Sequence, residues 1–264
     1  MRQHFPTEFV YQVFSLLIAF ILVHALYVTL IRPQAEVFLE REAAQLQADP
    51  AYVPQRSFYV VIKDYEQETC FVLMLWAFSI LGYKGRAAWR QQKLLEQDLL
   101  QLPDNLPVGP EDTRGLIGRL QSLPAPLQDY LLPRALLSAV ERFNATRNVQ
   151  NVSTAARDLC DSEGERLESE LSTIRYIAWA IPSVGFIGTV RGIGDALGQA
   201  HRAVEGDITG VTASLGVAFN STFIALVISI VLMFFIHQLQ LMQERLVLDS
   251  ERYVDRWLVR RLQT

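Results

Sequence analysis

The sequence lacks most of what soluble chemistry is built from. Its 264 residues hold two cysteines, Cys70 and Cys160, far apart in unlike surroundings. Neither a disulfide framework nor a metal site can be assembled from them, and both read as small buried thiols. No HExxH, CxxC pair or GxSxG occurs. The usual hydrolase and metal signatures are therefore missing, and no cofactor and no enzymatic activity are expected. Positive charge is not in excess either: 24 Lys+Arg against 28 Asp+Glu leave a net charge of −4, which argues against nucleic acid as a main partner. Internal repeats and low-complexity tracts are absent as well.

What the chain has is apolar residues gathered into blocks. Half of it is hydrophobic although 20% is charged, and mean hydropathy is +0.17; the two facts fit when apolar residues are segregated. Residues 9–31 contain no charged side chain, and a helix of that length rises about 34 Å, enough to cross a hydrocarbon core. A cleaved signal peptide is the rival reading, since Arg2 supplies a positive start, but the run is long and no A-x-A site follows it. His24, inside this run, is expected to be neutral and hydrogen-bonded to a neighbouring helix rather than a proton relay. The second block, 69–83, crosses only when its helix continues on both sides, with Lys84 and Arg86 reaching the interface. The third, 176–194, is interrupted by Pro182 and Arg191, and with the fourth, 215–236, forms a helical hairpin.

Lys84, Arg86, Arg90 and Lys93 follow the second block with no acid among them, so that end faces the cytoplasm. The expected fold is all-α: a polytopic membrane protein with four transmembrane helices and long helices extending into a cytoplasmic helical domain, both termini cytoplasmic. The divisions are 1–31 for the N-terminus and first span, 32–68 outside, 69–83 for the second span, 84–175 for the cytoplasmic domain, 176–194 for the third span, 195–214 outside, 215–236 for the fourth span and 237–264 for a cytoplasmic C-terminal helix. Within the cytoplasmic domain, residues 89–102 are helical in composition and the prolines and glycine of 103–110 end them. Pro124, Pro126 and Pro133 punctuate a short helix and open another that runs to about Asn144. Leu159, Leu167, Leu171 and Ile174 recur at helical spacing, so the third span is expected to begin deep in the cytoplasm as one long helix. Leu239, Met242, Leu246, Tyr253 and Trp257 continue the fourth span likewise, and the charges after Asp249 read as a solvated face. The outer segment ends in the alternating Phe58-Tyr-Val-Val-Ile-Lys and is either a small cap or a lipid-surface segment.

The glycines of Gly185-Phe-Ile-Gly188-Thr-Val-Arg-Gly192-Ile-Gly194 invite a phosphate-loop reading. It fails, because no Lys-Ser or Lys-Thr follows and the surroundings are membrane-apolar. Glycines three or four apart on a membrane helix let another helix come close. On the fourth span, Ser214, Ala218, Ser221, Thr222, Ala225 and Ser229 share one face while Leu215, Phe219, Phe223, Leu226, Ile230 and Phe234 share another. One face is small and polar, the other bulky and turned to lipid. A hydroxyl stripe of this kind is either interhelical glue or a pore lining, and Thr189, in the glycine stripe opposite, favours hydroxyls converging on one site. Arg191 and Asp195, four apart, form a possible ion pair near the outer surface.

At these residues the chain resembles the MotA/TolQ/ExbB proton-channel family. The resemblance covers about 167–238 and is best in Ile177-Ala-x-x-x-Pro182-x-x-Gly185-x-x-Gly188-Thr189-Val190-x-Gly192-Ile193, followed by Ala218-Phe-x-x-Thr222-x-x-Ala225-Leu. It implies a homopentamer in the bacterial inner membrane around a dimer of single-span MotB/TolR/ExbD-like subunits, each carrying a membrane aspartate. Thr189 and Thr222 occupy the positions of the family's pore-facing threonines, and with Ser221 and Asn220 they make up the implied pathway for H⁺ or Na⁺. Pro182, Gly185, Gly188, Gly192, Ala218 and Ala225 are the implied packing positions. The fourth span contains no acid, so a carboxylate for proton transfer has to come from elsewhere. Two departures stand out: Val217 where ExbB-like chains often carry glutamate, and Arg191 where an apolar residue is common. The implied function is an ion-channel subunit of a rotary motor or stator. Two other readings stay open: a non-conducting scaffold that recruits a partner through its cytoplasmic helices, and a membrane enzyme acting on lipid through Arg191, Asp195 and His201.

Overall fold

In the computed structural model, residues 7–48, 57–102 and 108–263 are described. Arg2, residues 49–56 and most of the 103–110 breaker lie outside them. The described residues are helical almost throughout, and the one β-bridge among them joins Val108 to Leu262. The all-α expectation therefore holds. Three helical stretches are long and apolar enough to cross a membrane, Glu8–Ala48, Val149–Gly198 and Thr209–Arg261. The helix carrying the block 69–83 is not among these three.

The chain divides into two compact units, one of Met1–Leu81 with Thr173–Ile236, the other of Gly82–Ser172 with His237–Thr264. The first contains α1 (Thr7–Leu26), a π turn (Tyr27–Ile31), α2 (Arg32–Ala48), α3 (Phe58–Ile62), the start of α4 (Tyr65–Leu94), α9 (Ser172–Gly198), α10 (Ala200–Val204) and the start of α11 (Thr209–Trp257). Of residues 32–68, left open by composition, Arg32–Ala48, Phe58–Ile62 and the start of α4 from Tyr65 are helical, and the alternating stretch is the short α3.

The π turn has a geometric consequence. His24 and Arg32 are eight residues apart, which on a regular helix leaves them about 80° out of line. In the π turn the Arg32 N–H reaches the Tyr27 carbonyl, five residues back, so one extra residue is wound in. The separation becomes that of seven helical residues, about 20° short of two turns. Both side chains then meet one carboxylate, Glu68 of α4: His24 Nδ1 at 2.6 Å from Oε1, and Arg32 Nη2 on Oε2. The hydrogen-bonded histidine expected from the sequence is found.

The second unit is built on α5 (Thr113–Gln121), α6 (Ala125–Gln128), α7 (Leu131–Thr146) and α8 (Val149–Glu170), with the ends of α4 and α11. Arg147, left-handed at φ 49°, stops α7, and the Asn148 side chain accepts from the N–H groups of Gln150 and Asn151 to start α8. This short reversal folds α7 back on α8. Leu132, Leu136, Val140 and Phe143 pack with Val152, Cys160, Val254 and Leu258 in the core. Glu163, almost fully buried, is held between Arg134 at 3.1 Å and Arg166 at 2.5 Å. Both cysteines are buried free thiols.

Two helix boundaries differ from the sequence expectation. Helix α4 stops at Leu94, so 95–102 is not helical. Leu100 is drawn into the core, and the Tyr253 hydroxyl donates to the Gln97 carbonyl at 3.0 Å while accepting from the Leu99 N–H at 3.2 Å. Tertiary partners thus take backbone groups that a helix would have used. The long helix expected through 159–174 comes as two, parted at Leu171, whose side chain is completely buried.

Candidate functional site

The glycine face of α9 and the small-residue face of α11 meet in a seam inside the first unit. Gly185, Gly188 and Gly192 are all buried. A Cβ at Gly185 would stand 3.0 Å from the Ser221 carbonyl oxygen, one at Gly188 2.5 Å from Ser221 Cβ, and one at Gly192 2.7 Å from both Ala218 N and Ser214 O. Only glycine permits this approach of backbone to backbone. Gly194 faces open space and takes no part. On α11, Ala218, Ser221 and Ala225 are fully buried, whereas Phe219, Phe223, Ile230 and Phe234 are exposed. The two faces read from spacing are the two faces of the structure.

Pro182 lies within α9 and has no N–H for the carbonyl of Ala178, four residues back. Across the seam, Ser229 Oγ donates to that carbonyl at 3.1 Å. One hydroxyl of the stripe is therefore glue, repairing a vacancy that the proline creates.

Thr189 and Thr222 are different. Both are half-buried, and their hydroxyls are in hydrogen-bond contact with each other. Thr189 Oγ1 also reaches Ala218 O at 3.0 Å, and Thr222 Oγ1 reaches Gly185 O at 3.1 Å. Two hydroxyl hydrogens thus face three acceptors: two carbonyls and the opposite threonine. Once the hydrogens are placed, oxygen lone pairs remain and no donor does. The pair can receive a hydrogen bond or a cation.

Next to Thr222 in sequence, Ser221 Oγ donates to Val217 O at 2.8 Å and accepts from Gln67 Nε2 at 3.3 Å. Asn220 is half-buried and makes no hydrogen bond to either threonine. The Arg191 guanidinium grips Glu66 with two bonds, 2.7 Å from Nε and 2.8 Å from Nη2. The partner expected from spacing, Asp195, contributes only to the field around Arg191. A bidentate fork on a carboxylate from α4 outcompetes a neighbour four residues along the same exposed helix face. Pro182, Gly185, Gly188, Gly192, Ala218 and Ala225 all lie at or beside the seam.

Sequence reasoning missed the α4 contribution: Glu66, Gln67 and Glu68. Their signal was three polar residues in a row directly before an apolar block, which reads equally as an ordinary span edge.

Residues 128–252 match the MotA/TolQ/ExbB proton channel family, and the motifs around Pro182 and Thr222 fall inside that stretch. No curated protein and no solved structure matches the chain significantly. The match and the three apolar helical stretches together support a multi-pass membrane protein.

Proposed function

We propose that the chain is the channel-forming subunit of an ion-driven motor in a bacterial inner membrane. In this reading four helices cross the bilayer, at 9–31, 69–83, 176–194 and 215–236, and 84–175 with both termini is cytoplasmic. Five copies surround the single spans of two MotB/TolR/ExbD-like partners, each bringing a membrane aspartate. Protons, or sodium ions in their place, reach that carboxylate past Thr189 and Thr222, and its alternating neutralisation turns one ring against the other.

The observation that carries this reading is the contact of Thr189 with Thr222 in a seam lined by glycine, alanine and serine. The pair offers acceptors without donors, which suits a protonated carboxyl group rather than an anion. The exposed phenylalanines of α11 supply apolar surface for lipid or neighbouring subunits.

The test is native mass spectrometry, which is expected to find five copies with two, followed by proton flux in vesicles holding the chain with its partner. Thr189→Val and Thr222→Val keep shape and remove one hydroxyl each. Each is expected to lower flux roughly tenfold, the worth of one hydrogen bond to an ionisable group. Parental flux in both variants would defeat the mechanism. Assembly lost only on placing a bulky residue at Gly188 or Gly192, with hydroxyls dispensable, would favour the scaffold.

A further inference from the structure

Two buried oxygen atoms at the start of α4 have no hydrogen-bond partner: Asp64 Oδ2 and Gln67 Oε1. Asp64 stands just before the helix and its carbonyl receives the Glu68 N–H at 3.1 Å. Gln67 follows three residues later, the spacing at which the side chains of a helix's capping residue and of its third residue come within reach of each other. Gln67 is completely buried. Both hydrogens of its amide nitrogen are committed, to Val61 O at 3.1 Å and Ser221 Oγ at 3.3 Å. Its oxygen is left to find a donor. An ionised Asp64 is an acceptor only and offers Gln67 Oε1 nothing, whereas one hydrogen on Asp64 turns two orphaned acceptors into a donor and an acceptor; the Tyr27 hydroxyl, also buried without a partner, is the other donor of this group.

We propose that Asp64 is a proton-binding group of this chain, holding a hydrogen that Gln67 Oε1 accepts. Loading transfers a proton from hydronium to Asp64 Oδ2, forming one O–H bond and releasing water. Gln67 keeps its own hydrogens and acts as a positioning residue. Its oxygen senses the hydrogen on Asp64 and its nitrogen holds Ser221, next to Thr222. Gly188 admits this arrangement, since a Cβ there would stand 3.1 Å from Glu66 Cγ.

The groups facing Asp64 are Lys63 and Glu66 beside it in sequence, Tyr27 and Arg32 from the N-terminal helix, and Arg191 from α9. The two guanidiniums are already engaged, Arg32 with Glu68 and Arg191 with Glu66. Burial outweighs their attraction and pushes the Asp64 carboxyl above its ordinary range, in the direction a loaded site requires.

The experiment is an infrared titration of the full chain in lipid vesicles, following the C=O stretch of protonated carboxyl groups. A band persisting above the ordinary aspartate range is expected, and Asp64→Asn removes it. Asparagine keeps the size of the side chain and offers Gln67 an N–H, so this variant folds. Gln67→Met, which deletes the acceptor, shifts the midpoint about one pH unit lower. Absence of such a band, or its survival in Asp64→Asn, overturns the proposal whether or not the chain conducts. The role in loading rests on the proposed function and is read separately, as proton flux with the partner. Asp64→Asn lowers that flux, and parental flux in this variant overturns the loading role. A parent that conducts no protons defeats the proposed function, while the infrared band still decides Asp64.

Discussion

The bond from Ser229 to Ala178 is the sharpest test of how the seam is held. Pro182 deprives the Ala178 carbonyl of its helical N–H, and Ser229 Oγ replaces it from the opposite helix at 3.1 Å. Ala178 is 2% exposed, so water cannot substitute. A buried carbonyl left without a donor costs about 1–3 kcal/mol, and hydrogen bonds between membrane helices average about 0.6 kcal/mol with a maximum near 1.7. Ser229→Ala should therefore destabilise by about 1 kcal/mol, a factor of roughly five in the unfolding equilibrium. In a Pro182→Ala background the new N–H at position 182 meets the carbonyl itself, and the same Ser229→Ala should cost only a few tenths of a kcal/mol. The two substitutions are thus coupled by somewhat under 1 kcal/mol, and any change in helix bending caused by Pro182→Ala cancels from the cycle if it does not depend on Ser229. Reversible unfolding of the four proteins in mixed micelles or bicelles measures the coupling. An equal cost of Ser229→Ala in both backgrounds would show that the hydroxyl is not repairing the proline.

Gly192→Ala and Gly194→Ala add the same methyl group to the same helix two residues apart. The first places it 2.7 Å from Ala218 N and Ser214 O, the second in open space. Helix propensity alone favours both by about 1 kcal/mol, so thermal unfolding should show Gly194→Ala neutral or stabilised and Gly192→Ala destabilised; equal behaviour refutes the close seam. In the other unit, burial pushes the Cys160 thiol up to about 12 from 9.0. A thiol held protonated by folding stabilises fully below pH 9 and loses that contribution as pH rises toward 12. Cys160→Ala should make stability fall less steeply above pH 9, by up to about 1.4 kcal/mol per pH unit, and at pH 8 maleimide should label native Cys160 only as fast as the unit opens. Labelling at the rate of a free thiol would contradict its burial.

How much of this was legible in the sequence depended on the range of the interaction. The two faces of α11 were legible because they follow from spacing along one helix, and Thr189 and Thr222 because each lies in a stripe of small residues. Helix α7 was legible from Pro133 to within two residues of its end. The partner of Arg191 was not: Glu66 is 125 residues away in sequence, and spacing can offer only the local Asp195. Nor was the alignment of His24 with Arg32 on Glu68, since regular helix geometry puts them about 80° apart and nothing in Tyr27-Val-Thr-Leu-Ile signals a π turn. Residues 95–102 have helical composition yet are unwound by Tyr253, a partner 154 residues from Leu99. Ser229 was visible as part of a hydroxyl stripe and Pro182 as an interruption; joining them needed only the missing N–H of proline and the i−4 rule.

The distribution of acids sharpens what the threonine pair can do. None of the four apolar stretches contains Asp or Glu, and three carboxylates, Asp64, Glu66 and Glu68, stand together at the start of α4. Glu42 of α2 also buries one carboxylate oxygen, and of the three at α4, Glu66 and Glu68 are held by Arg191 and Arg32. At Thr189 and Thr222 there are lone pairs and no hydrogen to spare. On the proposed function, a neutral carboxylic acid arriving there donates its hydrogen and is retained, whereas the same group ionised meets only oxygen and is expelled. The discrimination is between two protonation states of one side chain, differing in the sign of a single hydrogen bond. Valine at either position should for that reason reduce the difference in affinity between the two states more than the affinity for either, and it is the difference that a motor converts into motion.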